Sequence, residues 1–288
     1  MNPLSQAVIS GVMMGSVYAL LATGLVIVYH TSQIMNIAHG EAYAVAGIVA
    51  ALAAGHSLPV WLALLAGIAA AVAFALSLEW GILRPRRAWS VNGLILVTLA
   101  VAFFMRGVLN VSVGADPVSF PGLVSGRALR VAGGALPRQG LLLVVVGLAA
   151  ALAIPLFLSA TRLGRQLRAA AENPDAAELM GVDVDRARTI AFAVAGAYGA
   201  LGALLLVPLI SVDFQSGLGM TMRGFIAAAL GGMSPLPVIL CGLGLGLAEA
   251  LVNTYVGALA QDPIVFLALI AVALWQSRRV RFGGSLRA

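Results

Sequence analysis

The sequence has no lysine: all 17 of its basic residues are arginine. It has one cysteine and three histidines, and only 10% of its 288 residues are charged. Each shortage excludes something. The lone Cys241 lies inside an apolar run, so neither a disulfide framework nor a cysteine metal site is expected. His30, His39 and His56 are spread along the first third without ligand spacing, and there is no HExxH or Asp-rich pattern, so no metal is expected. No GxSxG nucleophile motif occurs, so no catalytic residue is assigned. No glycine-rich stretch stands between a strand and a helix, so neither an ATP site nor any other cofactor is expected. No basic region precedes the first apolar stretch, and residues 1–28 are not expected to be a cleaved signal. The missing lysine itself reads as a compositional bias of the source genome.

What is present is apolar. The chain is 61% hydrophobic with a mean hydropathy of +1.02. Continuous runs of span length recur, and they do not alternate as β-barrel strands do. The fold class is therefore all-α: a polytopic integral membrane protein, one transmembrane domain over residues 1–288, in contact with lipid. The net charge of +6 and a pI near 10.4 invite a nucleic-acid reading. Topology explains the charge better, and no nucleic acid is expected.

Candidate spans are Gln6–Val28, Asn36–Gly55, Val60–Leu83, Asn92–Val113, Leu141–Ser159, Thr189–Ser211, a weaker Leu218–Gly232, Pro237–Gly257 and Asp262–Gln276. The count is eight without the weaker segment and nine with it. Arginine clusters at Arg84–Arg87, between Arg162 and Arg188, and in the tail at Arg278, Arg279, Arg281 and Arg287. The positive-inside rule places all three in the cytoplasm, which requires an outside N-terminus and an odd count, nine. Residues 114–140 then form an external loop, kept irregular by Pro117, Pro121 and Pro137. The sequence also admits an inverted repeat, though alanine- and glycine-rich helices match one another easily. YALLATGLVIV from Tyr18 faces YGALGALLLVP from Tyr198, and GIVAALAAGHSLPV from Gly47 faces GFIAAALGGMSPLPV from Gly224, at offsets of 180 and 177.

One polar island interrupts the apolar sequence. Residues 161–188 hold five arginines and five acidic residues and cannot lie in hydrocarbon. Arg162, Arg165 and Arg168 line one helical face. Asn173 is a good N-cap, Pro174 suits the first helical position, and Asp175 meets the positive end of the helix dipole. Ala176, Ala177, Glu178, Leu179 and Met180 favour helix, and Gly181 is a natural stop. A surface helix of about two turns is expected, with an ordinary cytoplasmic loop as the plainer alternative.

Charges within the spans are few: Glu41, Glu79, Arg106, Arg223 and Glu249. They are expected to face protein or water. Glu79 is expected to pair with Arg84–Arg87, and Glu249 with Arg223 or Arg106. The tract Asn36-Ile37-Ala38-His39-Gly40-Glu41 is either a capped helix start or a break lining a polar cavity. Asn36, His39, Glu41, Arg223 and Glu249 are the candidates for a translocation path.

The Asn36–Glu41 tract resembles the N-F-A-H-G-like tract of permease subunits of branched-chain amino acid ABC importers, with Ile37 where Phe is usual. Gly15 to Leu20 resembles that family's G-x-x-Y-A-L. Thr161, Gly164, Arg165, Arg168, Ala169, Ala176, Ala177 and Gly181 resemble its coupling segment. Phe225–Gly232 and Gly242–Glu249 resemble two further segments, while Ser234-Pro235-Leu236-Pro237 departs from the small Gly-rich turn usual there. The resemblance implies an inner-membrane permease, powered by cytoplasmic ATP-binding subunits that dock on the island through Arg165, Arg168, Asp175, Ala176, Ala177, Leu179, Met180 and Gly181. It also implies a second homologous permease and a periplasmic substrate-binding protein. Related permeases carry branched-chain amino acids, urea, amides or aromatic acids. An ion-gradient-driven secondary transporter of a small polar solute is the competing reading, and it would require an ion site among the spans.

Overall fold

The structure, a computed structural model, describes residues 2–86 and 89–260, together with Pro263, Phe266, Leu267 and Ile270. The first helix is the axis of the fold. Helix α1, Pro3–Ser32, is capped by the Asn2 side chain, which accepts from Leu4 N at 3.1 Å, and Pro3 occupies its first turn. It is buried without a break from Gly15 to Val28. Around it stand α2 (Glu41–Gly55), α3 (Val60–Ser77), α4 (Val91–Val113), α5 (Arg138–Ala160), α6 (Arg162–Glu172), α7 (Pro174–Leu179), α8 (Val184–Leu206), α9 (Ser216–Leu230) and α10 (Pro235–Tyr255). Helices α4 and α5 turn large apolar residues outward, among them Leu96, Phe104, Val111, Val145 and Leu156, as lipid-facing helices do.

Small residues set the tightest crossing. A Cβ added at Gly15 would lie 2.8 Å from Leu243 Cα, and one at Gly242 would lie 2.5 Å from Ala19 N. Backbone meets backbone there, which is how helices associate without a hydrophobic driving force.

The bundle has two ends. At one, a β-hairpin of β1 (Leu129–Val131) and β2 (Gly134–Leu136) sits on the start of α1. Ser5 Oγ donates to Ala132 O at 2.7 Å, and Gln6 Oε1 accepts from Ala135 N at 3.0 Å. Ala132 (φ 50) and Gly133 (φ 84) supply the two positive-φ residues of a tight hairpin turn. The loop 114–140 is thus not irregular throughout, since the prolines leave room for this short ladder. At the other end lies the polar island. The chain 207–215 returns beside the hairpin-end loop, where Val212 bridges Val118. From there the chain runs through α9 to Met233, whose carbonyl accepts from His30 Nε2 at 2.7 Å near the close of α1. The weak seventh segment therefore traverses the bundle, although α9 itself has only 15 residues, about 22 Å. Among the described residues seven helices are long and apolar enough to cross a membrane, and α9 makes an eighth crossing. The ninth expected span falls almost wholly outside the described residues.

The inverted repeat is visible in the packing. Helix α1 packs on α10 as α8 packs on α3, α1 packs on α9 as α8 packs on α2, and α2 on α3 as α9 on α10. Helices α1 and α8 run in opposite directions, and α2 and α9 each have 15 residues. Asn36 caps the first short helix unit. Asp213, 177 residues later, opens the second by accepting from Gln215 N and Ser216 N.

We expect the two ends to lie on opposite sides of the membrane, with the island in the cytoplasm. Single cysteines at Glu178 and at Ser125, both exposed, in a Cys241→Ser background test this with an impermeant thiol reagent. Intact cells should label position 125 and not 178. Labelling at 178 from outside defeats the assignment.

Candidate functional site

The island is a folded unit rather than a loop. Thr161 ends α5 and caps α6, with its Oγ1 accepting from Gly164 N at 2.9 Å. Gly164 lets α6 fold back on α5, because a Cβ there would fall 2.6 Å from Leu158 Cα. Leu167 and Ala170 point inward, while Arg162, Arg165 and Arg168 are exposed. Asn173 caps α7 through Ala176 N at 3.0 Å, and Gly181 closes it at φ +80. The sequence expectation of a short capped helix holds at both ends. Asp175 and Ala176 are exposed, and Leu179 and Met180 stand out at 90% and 84% exposure. Ala177 is the exception among the residues expected to meet a partner. It is 4% exposed and packs into the chain's own core, because it lies on the inward face of α7, which packs on α6 and, less, on α8.

The island is pinned to the spans by charge. Glu79 pairs with Arg188, whose Nε and Nη2 donate at 3.0 and 3.2 Å, a partner from across the bundle. A π-turn at Leu78–Leu83 carries Glu79 inward at the end of α3. Asp183 caps the start of α8 at Arg186 N, five residues earlier than the sixth span was placed. Arg188 consequently belongs to a buried helix face. Arg84 pairs with Asp185, and Trp80 Nε1 donates to Thr189 Oγ1 at 3.1 Å.

The tract Asn36–Glu41 is both a cap and a break. His39 Nε2 donates to Leu21 O at 3.1 Å. Leu21 lies about 16 Å along α1 from its Ser32 end. After α1 the chain therefore doubles back to mid-depth before α2 begins. Bare backbone at that depth must be satisfied by protein, and it is. Ile37 N donates to Thr98 Oγ1, Ala38 N to Asn36 Oδ1, His39 N to Asn36 O, and Gly40 N to Thr221 Oγ1, at 3.1, 3.1, 3.2 and 2.9 Å. Asn36, His39 and Glu41 are all buried.

The five candidate path residues fall into two groups. Asn36, His39 and Glu41 gather with Thr98, Arg106 and Thr221, with Arg106 Nε donating to Glu41 Oε1 at 3.2 Å. Arg223 and Glu249 form a separate pair at 2.9 Å, joined by Tyr18, whose hydroxyl donates to Glu249 Oε2 at 2.5 Å. Tyr18, Thr98 and Thr221 were not singled out from the sequence. Tyr18 entered there through the repeat and through the Gly15–Leu20 resemblance, and neither of these gives its hydroxyl a partner. Beside the first group an apolar cavity of about 170 Å³ is lined by Leu25, Met35, Asn36, Ile95, Thr221 and Phe225.

Comparison with known proteins places these features. The family described as "Branched-chain amino acid transport system / permease component" matches residues 7–288. The high-affinity branched-chain amino acid transport system permease protein LivH of Escherichia coli K12 is 31% identical over 289 residues, covering 93% of this chain and 92% of that protein. BraD of Pseudomonas aeruginosa, a permease protein of the same description, is 30% identical, covering 94% and 93%. The ribose import permease protein RbsC of E. coli K12 is 29% identical over 229 residues, covering 76% and 67%. Among solved structures, PsaBC from Streptococcus pneumoniae in complex with Fab superposes with a TM-score of 0.51 at 15% identity, covering 95% of this chain and 90% of that one. This likeness is one of fold.

Proposed function

The chain belongs to the permease-component family of branched-chain amino acid transport systems, and from that premise we propose that it is the membrane-spanning permease subunit of an ABC importer. It forms the path for branched-chain amino acids, or for a similar small amino acid or amide, across a bacterial inner membrane. Power comes from separate cytoplasmic ATP-binding subunits. A second homologous permease completes the path, and a periplasmic binding protein delivers the substrate.

The observation that carries this reading is the exposed pair Leu179 and Met180 at the tip of a capped helix. That helix is braced by α6 and tied through Arg188–Glu79 to two spans. It is a stiff lever presenting an apolar tip, as coupling to a moving ATPase requires. Large apolar side chains outside hydrocarbon, so fully exposed, mark a docking surface.

The ion-gradient carrier has less behind it. Glu41, Glu79 and Glu249 each pair with an arginine, Arg106, Arg188 and Arg223, whereas a proton- or ion-driven path is expected to hold a chain of carboxylates without such partners.

The test is reconstitution of the chain with the ATPase subunits, the second permease and the binding protein of the proposed importer. Leucine uptake into proteoliposomes should require ATP and the binding protein. Uptake by the chain alone, driven by an ion gradient, overturns the proposal.

A further inference from the structure

The two short helices of the inverted repeat meet at their N-terminal ends, at equivalent glycines. Gly40 and Gly217 are 177 residues apart in sequence, and they touch. A Cβ on Gly40 would run into Gly217 O and the Thr221 side chain, and a Cβ on Gly217 would run into the Glu41 carboxylate. The crossing lies at the mid-depth fixed by His39 and Leu21.

Glu41 is wedged into this crossing and is fully buried. Its Oε1 accepts from Arg106, but no donor among the described residues reaches its Oε2. A buried carboxylate oxygen without a donor is unfavourable, and it is retained where something else supplies the donor. The inverted repeat sharpens the point. The position equivalent to Glu41 in the second repeat is Leu218, so the fold does not need a carboxylate at the crossing. The cavity of about 170 Å³ is lined by Asn36 and Thr221, the side chains that satisfy the backbone of this same crossing. An apolar cavity of roughly that size accepts a compact hydrocarbon group of benzene scale.

We infer that the Gly40–Gly217 crossing is the substrate's station on the path: Glu41 Oε2 accepts an N–H of the substrate, and the apolar cavity takes its branched hydrocarbon group. The inference rests on the permease reading above. The ligand class is a small ammonium zwitterion or amide bearing a compact apolar group. An anion lacking N–H is disfavoured, because Arg106 is already engaged by Glu41. Since Glu41 is fully buried in this state, the substrate reaches it when the two glycines part.

The experiment uses the complete complex in proteoliposomes, with leucine as the probe. Glu41→Met together with Arg106→Met removes the acceptor and both charges. Replacement of a buried ion pair by apolar residues of similar volume is commonly tolerated by the fold. The double variant should assemble with its partners, with leucine uptake reduced roughly 10- to 100-fold, the loss of one charge-assisted hydrogen bond. Uptake within about twofold of wild type, less than any such bond contributes, overturns the inference, because the pair is then only structural. As an independent arm, Ile95→Phe narrows the cavity and should lower the isoleucine-to-alanine uptake ratio by about tenfold. An unchanged ratio refutes the cavity's part. A wild-type complex without ATP-driven uptake would refute the permease reading itself, whereas wild-type uptake with an unaffected double variant sinks this inference alone.

Discussion

Replacing Leu179 and Met180 together by aspartate should release the ATPase subunits of the proposed importer from this chain. The two side chains are 90% and 84% exposed, so they contribute almost nothing to the chain's own stability. Their removal from water on docking is worth about 1.5–3 kcal/mol each. Losing both, and placing two carboxylates against an apolar docking pocket of the kind proposed, should weaken binding by about 3–5 kcal/mol, which is roughly 150- to 4,000-fold. The checks are co-purification of the ATPase subunits, their dissociation constant, and substrate-stimulated ATP hydrolysis. The variant's melting temperature should stay that of wild type. Glu178→Gln is the control, because Glu178 is exposed on the same helix and its change should leave binding within about twofold. Ala177→Trp is a poorer probe. Ala177 is buried against its own chain, so tryptophan there disturbs the island before any partner is met. Full binding by the double aspartate variant would remove α7 from the coupling interface.

Local chemistry made the island legible. Asn173, Pro174 and Gly181 act through their nearest neighbours, and short-range rules cover them. Which face of α7 turns inward depends on its packing on α6 and α8, and no pattern within the island states that. The same holds for long-range partners. Nearness in sequence points Glu79 to the Arg84–Arg87 cluster and says nothing of Arg188, which pairs with it across the bundle, 109 residues on. The reverse holds for the inverted repeat. Its sequence match rests on alanine and glycine, which recur everywhere in this chain. The structure gives the match weight through residues that are not in the matched strings: Asn36 and Asp213 as caps, and Gly40 and Gly217 in contact. Each pair is separated by the same 177 residues. The span pattern was readable because hydrocarbon forces it; the doubling back after Ser32 was not, because buried backbone at mid-depth is satisfied by Thr98 and Thr221, far along the chain.

Arg223→Met alone should be among the most destabilising single changes in the bundle. Glu249 is 2% exposed, and in this pair Arg223 Nε donates to its Oε1 while Tyr18 donates to its Oε2. Arg223 also lies over the Tyr18 ring at 6.0 Å, so one arginine braces α9 against both α1 and α10. Taking it away leaves a buried carboxylate with its counter-charge gone, at a cost of about 3–5 kcal/mol. Thermal unfolding of the purified complex should fall by several degrees, with less protein recovered. Adding Glu249→Met restores stability, because a buried ion pair exchanged for apolar residues of similar volume is close to neutral. The rescued double variant then separates structure from transport. If the pair belongs to the path, the double variant assembles, melts near wild type and still carries leucine roughly tenfold or more slowly, the effect of losing a charged contact on the moving substrate. If leucine uptake returns together with stability, Arg223 and Glu249 hold the three helices in register and the substrate passes elsewhere. In that case Glu249→Gln should transport normally wherever it folds, and the route is left to the Asn36–Glu41 crossing.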